Sequence, residues 1–168
     1  MAVPFAILAV ACVPTGTRGE VKQSTDILFK GRPDRTDADI DRRLGDSMKI
    51  ESVVATVEKA EFVAEIGPSD KAGYIVATVT AKNTQAVKVN LTRFDFEVIT
   101  PEGEAKSHTL VEGGREGELP VKSELEKDGT VTGTIAFNVG DEKGTFYVVY
   151  APKEDNEIRG VWGPIEVS

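Results

Sequence analysis

From residue 47 to the C-terminus, apolar and polar residues alternate with a period of two, a pattern that admits β-strands and little else. Met48, Ile50, Ala55, Val57 and Phe62 stand among Lys49, Glu51, Thr56, Glu58 and Glu61, with an irregularity near Val53-Val54. Ile75, Ala77, Val79 and Ala81 share one face, and Thr78 and Thr80 the other. Val87, Val89 and Leu91 follow, then Phe94, Phe96 and Val98. Later, Val131, Ile135, Phe137 and Val139 alternate with threonines, Phe146 to Tyr150 forms an apolar run, and the chain ends on Ile158, Val161, Trp162, Ile165 and Val167.

Turn signals separate these runs: Gly67-Pro68-Ser69-Asp70, Asn83-Thr84-Gln85, Pro101-Glu102-Gly103-Glu104 and Lys127-Asp128-Gly129. Residues 111–120 read as a loop. No long helical period is present, and a short turn near 37–44 is the one place for helix. The pattern predicts an all-β, antiparallel immunoglobulin-like β-sandwich of seven to eight strands. An α/β fold would need helical crossovers between its strands. The Cys…Trp…Cys spacing of antibody domains is absent.

The N-terminus reads differently. Residues 2–13, AVPFAILAVACV, carry no charge. As a helix they would span roughly 18 Å, against a hydrocarbon core of about 30 Å. That is too short for a membrane span and suits the apolar region of a signal peptide. Residues 14–46 mix both signs of charge with few apolar side chains, which predicts a disordered tail acting as a flexible linker. Asp37, Asp39 and Asp41 have the spacing that opens a calcium loop. Its sixth and twelfth positions, which need Gly and Glu, are Arg42 and Met48, so the stretch reads as solvated linker.

Composition excludes several functions. The formal net charge is −8, whereas a nucleic-acid surface needs clustered Lys and Arg. Cys12 is the single cysteine, so neither an intrachain disulfide nor a thiolate metal cage can form. His108 is the single histidine, which removes the His-rich zinc and copper sites. No serine or cysteine lies in a nucleophile-elbow context, and no catalytic residue, metal ligand or cofactor-binding residue is assigned. His108 reads as an exposed or rim histidine. Glu112, Glu116, Glu118, Glu124, Glu126 and Asp128 read as a solvated acidic region rather than a carboxylate pair across a cleft. Trp162, Tyr147 and Tyr150 read as core or core-rim residues rather than an exposed platform. Residues 109–124, long for a loop in a small sandwich, are the expected partner-contacting surface.

Two resemblances add to this reading. Leu8-Ala9-Val10-Ala11-Cys12, followed by Val13-Pro14-Thr15-Gly16, resembles the lipobox of bacterial lipoproteins, with Leu8 one place further from the cysteine than that pattern prefers. The resemblance implies lipidation of Cys12, and two acyl chains anchor stably where one is marginal. The second covers roughly residues 44–152. It rests on Arg43-Leu44-Gly45-Asp46, the run Gly73 to Asn83, Phe94 to Val98, Pro101-Glu102-Gly103-Glu104 and the Gly129…Gly133…Phe137 spacing. This set resembles the immunoglobulin-like domain of unknown function found in bacterial lipoproteins, related to the secreted immunoprotective antigen of mycobacteria. It implies an exported β-sandwich without enzymatic activity.

The expected division is a signal peptide with lipobox over 1–12, a flexible linker over 13–46 and the sandwich domain over 47–168. The expected protein is exported, either at the outer face of the cell membrane as a lipoprotein or secreted. It contacts the membrane through lipid on Cys12 and an unidentified protein partner through the 109–124 loop. The alternative is an exported small-ligand or metal-binding protein.

Overall fold

The computed structural model describes residues 28–66, 72–110, 117–152 and 158–168. In chain order its strands are β1 (Asp39–Arg42), β2 (Ser47–Ile50), β3 (Val53–Val63), β4 (Tyr74–Asn83), β5 (Val89–Thr92), β6 (Phe96–Ile99), β7 (Ala105–Ser107), β8 (Lys122–Leu125), β9 (Thr130–Asn138), β10 (Gly144–Tyr150) and β11 (Arg159–Val167). A 3-10 turn over Arg93–Asp95 separates β5 from β6, and no α-helix occurs among the described residues. The fold is the expected all-β sandwich, with more and shorter strands than the seven to eight expected.

One layer is a four-stranded sheet in the order β2-β3-β4-β9, and the other a five-stranded sheet in the order β1-β11-β10-β6-β7. A two-stranded ribbon, β5-β8, pairs with neither sheet, and its Leu91 and Leu125 are buried in the core they share. Alternation places Met48, Ala55, Val57, Ile75, Val79 and Phe137 of the first sheet against Phe96, Val98, Phe146, Val148 and Trp162 of the second in one core. Trp162 is fully buried and donates its indole N–H to the Asp46 carbonyl at 2.8 Å. The irregularity expected near Val53-Val54 is a hairpin turn at Glu51-Ser52, which splits one apparent strand into β2 and β3.

Gly133 on β9 allows one edge contact. A Cβ there would meet Leu119 Cα and N at 2.6 Å. Its absence lets the 117–119 segment lie along the strand, with Leu119 N–H donating to Thr134 O at 2.9 Å and Thr134 N–H donating to Gly117 O at 2.8 Å.

The largest departure from expectation is at the N-terminal side. The domain does not begin at residue 47. β1 pairs in parallel with β11, from Asp39 opposite Arg159 to Arg42 opposite Trp162. Upstream of it, Phe29 packs on Ile99, Val149 and Val161, which lie on the outer face of the five-stranded sheet. Its ring stands 4.9 Å from that of Tyr147. The expected linker is therefore folded over residues 28–46, while residues 13–27 and the expected lipobox at Cys12 lie outside the described residues.

The charges that argued for disorder satisfy one another. The Asp41 carboxylate accepts the amides of Leu28 and Phe29 at 2.9 and 3.1 Å and the Arg35 guanidinium at 2.6 Å. Asp39 is buried and accepts two hydrogen bonds from Arg159, at 2.7 and 2.9 Å, and one from Arg32. These aspartates bind guanidinium groups. Fork-shaped donors and paired carboxylate oxygens make that match strong.

Burial raises the Asp39 carboxyl pKa, but the hydrogen bonds from Arg159 and the Thr36 amide, with the charges of Arg159 and Arg32, outweigh it and hold it below its ordinary 3.8. A folded-state value below the unfolded one stabilises the fold above the unfolded value, and the gain is lost as pH falls through the folded value. Asp39→Asn is expected to cost about 3–5 kcal/mol at pH 7, because it leaves the buried Arg32 and the partly buried Arg159 underpaired. In urea titrations over a pH series, the gap between variant and parent should close below about pH 4.

Candidate functional site

Asn83 ends β4 and organises the neighbouring surface. Its side chain is fully buried, donating to Val87 O at 2.7 Å and Leu125 O at 2.9 Å and accepting the Gln85 amide at 2.9 Å. An asparagine amide offers donors and an acceptor together, so one side chain ties the turn after β4 to β8 of the ribbon.

The ribbon leads into the 3-10 turn, which is held from both sides. Arg93 is buried, with Nη1 on Glu118 Oε1 at 2.9 Å and Nη2 on the Leu119 carbonyl. Asp95 is buried, accepts the Thr92 amide at 2.7 Å, and its carbonyl accepts Ala151 N–H at 2.8 Å. Between them Phe94 is 48% exposed, its ring edge-on to His108 with centroids 4.6 Å apart. Two anchored charged residues thus hold a large aromatic side chain outward.

Beside Phe94 lies an open hollow of about 470 Å³ between the β2–β3 turn and β5. Tyr150 and Asp95 line it, with Glu51, Lys88 and the 61%-exposed Val87 also contributing. Glu51 adopts φ 49°, a left-handed conformation that glycine or asparagine takes with less strain. Burial pushes the Tyr150 phenol upward, and the nearby charges of Asp95 and Glu51 add to that shift.

Alternation had put Phe94 and Phe96 on one face of one strand. The 3-10 turn breaks the period, so Phe96 is buried and Phe94 is exposed. The sequence signal available was Thr92-Arg93-Phe94-Asp95, in which Thr92 and Asp95 sit at the spacing of a capped turn.

His108 is half-buried at a rim, and burial, then the Arg93 charge, lowers its pKa against the opposing effect of Glu118. Trp162 and Tyr150 lie in the core, with Tyr150 4.9 Å from Phe96. Of the expected 109–124 surface, residues 111–116 lie outside the described residues. Thr109 and Leu119 are pinned to β9, and 122–124 belong to β8 rather than to a loop. Glu118 pairs with Arg93, Glu124 and Glu126 with Lys88, and Asp128 with Lys82. Cys12 lies outside the described residues. Among the described residues, no group of three His, Cys, Asp or Glu residues could hold a metal ion.

A second, shallower hollow of about 700 Å³ lies between residues 28–33 and Tyr147 on the outer face of the five-stranded sheet. Arg32 borders it, but its side chain is sealed from solvent and paired with Asp34 and Asp39. The Phe94 hollow, with an anchored aromatic and unsealed charge at its rim, is the better-equipped site.

Removing the Asn83 amide should loosen this site first. Asn83→Ala is expected to cost about 2–3 kcal/mol in urea unfolding, since it strands buried carbonyls. Amide exchange at Val89 and Leu91 should rise more than at Val79 in the core. Equal protection at all three positions would remove Asn83 from this role.

Comparison with known proteins places this architecture. No curated protein matches the chain by sequence. The fold is similar to that of MPT63, a secreted protein of Mycobacterium tuberculosis, with a TM-score of 0.59 at 18% identity over 77% of this chain and 100% of that one. It is also similar to the yjhA protein of Bacillus subtilis, with a TM-score of 0.56 at 15% identity over 75% of this chain and 98% of that one. A third similar structure is ycdA of Bacillus subtilis, a candidate lipoprotein, with a TM-score of 0.56 at 17% identity; the match covers 68% of this chain and 37% of that longer one. At these identities the likeness is one of fold. The model for a domain of unknown function, DUF4352, matches residues 43–156, close to the 44–152 span of the resemblance read from sequence. With that match running from the end of β1 through β10, the chain belongs to the DUF4352 family.

Proposed function

We propose that this protein is exported, is held at the outer face of the cell membrane by lipid on Cys12, and acts there as a non-enzymatic interaction module. The observation that carries the module reading is Phe94, a large aromatic fixed in the open by buried Arg93 and Asp95 beside a hollow. Rigidly presented aromatics are the usual anchors of protein interfaces. The anchoring half rests on the place of Cys12, where an uncharged run gives way to polar chain. Export has support from similar folds in a secreted protein and a candidate lipoprotein.

The ordered N-terminal segment shortens the expected tether. Fifteen residues separate Cys12 from Leu28, the first described residue, giving a reach of at most about 58 Å.

Metabolic labelling of native cells with an alkyne fatty-acid analogue tests the anchor. Labelled protein is expected from the parent and not from Cys12→Ser, with the parent domain removable by protease added outside intact cells. An unlabelled parent, or a domain protected from external protease, sinks the envelope reading.

A further inference from the structure

The hollow beside Phe94 has a polar wall as well as an apolar one. β5 pairs with β8 along one edge, with Asn90 opposite Glu124 and Leu91 opposite Ser123. Arg93, next in this register, donates its amide to Val121 O at 3.3 Å, toward the β8 side. In an antiparallel pair the facing residues alternate, so Val89 and Leu91 also turn their main-chain groups toward β8. Asn90 and Thr92 turn theirs the other way. Thr92 bears this out, because its amide leaves the ribbon to meet the Asp95 carboxylate at 2.7 Å. Asn90 is exposed and lines the hollow, and the alternation turns its amide and carbonyl away from β8. Among the described residues, no second strand pairs with this edge of β5.

Side chains around the edge define what suits it. Val87 and Phe94 flank it and are exposed. Glu51, exposed and in its left-handed conformation, and the buried Asp95 also line the hollow. The lysine nearby, Lys88, is held by Glu126 at 2.9 Å and Glu124 at 3.4 Å, so its charge is already opposed within the ribbon. With Lys88 so opposed, Glu51 leaves the rim negative beside its apolar side chains.

Resting on the reading of this protein as an interaction module, we propose that the hollow receives an extended, basic-and-apolar segment of a protein partner, which adds as a strand to the free edge of β5. Strand addition supplies main-chain affinity through Asn90. Alternate side chains of the segment then meet two different surfaces: apolar ones pack on Val87 and Phe94, and a Lys or Arg side chain reaches Glu51. The chemistry excludes an acidic segment by like charge.

The test uses the full-length chain, ¹⁵N-labelled and held in detergent, and a synthetic blocked hexapeptide, Thr-Val-Arg-Val-Lys-Val. Its acidic counterpart, with Glu in place of Arg and Lys, serves as the control. The basic peptide is expected to shift the amides of Val87 to Thr92 and Tyr150 and to slow hydrogen exchange at the Asn90 amide. Glu51→Gln and Phe94→Ala, both at exposed positions, should each weaken binding by about tenfold or more. The acidic peptide should leave these amides unmoved.

Equal binding of both peptides, shifts that map elsewhere, or no shift at millimolar peptide overturns the proposal. So does a concentration-dependent shift of the same amides without peptide, which would give the edge to a second copy of the chain. Peptide is added to purified protein, so its failure removes this occupant alone. A Cys12 without lipid removes the envelope reading alone.

Discussion

The five-stranded sheet is apolar on both faces at its centre, and the rest of the architecture follows from covering both. Val98, Val148 and Trp162 point into the sandwich, while Ile99, Val149 and Val161 point away from it. The four-stranded sheet covers the first set. The N-terminal segment covers the second with Phe29, and Asp39 and Asp41 fasten that segment down. Apolar burial supplies the drive, at about 25 cal/mol per Å². The buried ion pairs add little net drive of their own, since desolvation offsets much of their attraction. Their contribution is to fix where the segment lies, because a carboxylate left unpaired there would be costly.

The same economy of anchored charge recurs at the opposite use. Arg93 and Asp95 are buried and tied to main-chain groups, and what they hold in place is an exposed ring. Asn83 performs a neutral version, joining the turn after β4 to β8 through a buried amide. In each case a polar side chain inside the protein saturates backbone groups that no sheet ladder reaches. The Phe94 site thus stands on a rigid base rather than on a mobile loop, which lowers the ordering cost of binding there.

The sandwich was legible in sequence because strand alternation is a local property. Each run from Met48 to Val167 carries its own inside and outside, and the turn residues mark where runs end. That the neighbours Val98-Ile99, Val148-Val149 and Val161-Trp162 are buried on opposite faces of one sheet emerges only from the structure. What covers the outer face was hidden. Residues 28–46 have the composition of a linker, and their many charges look solvated until Asp39 is seen to meet Arg159, 120 positions away. Phe94 was hidden for the converse reason: a three-residue turn changed the period, and alternation carried across it points the ring inward.

By itself, then, the sequence determined the all-β class, the antiparallel core, and the place of Cys12 at the end of an uncharged run. Those depend on residue type and near-neighbour spacing alone. Tertiary structure decided that the domain reaches back to at least Leu28, that β1 runs parallel to β11, and that Phe94 stands outward beside a hollow. Each of these depends on pairs of groups far apart in the chain. Their charges and hydrogen-bonding groups acquire partners only when the two sheets are in place.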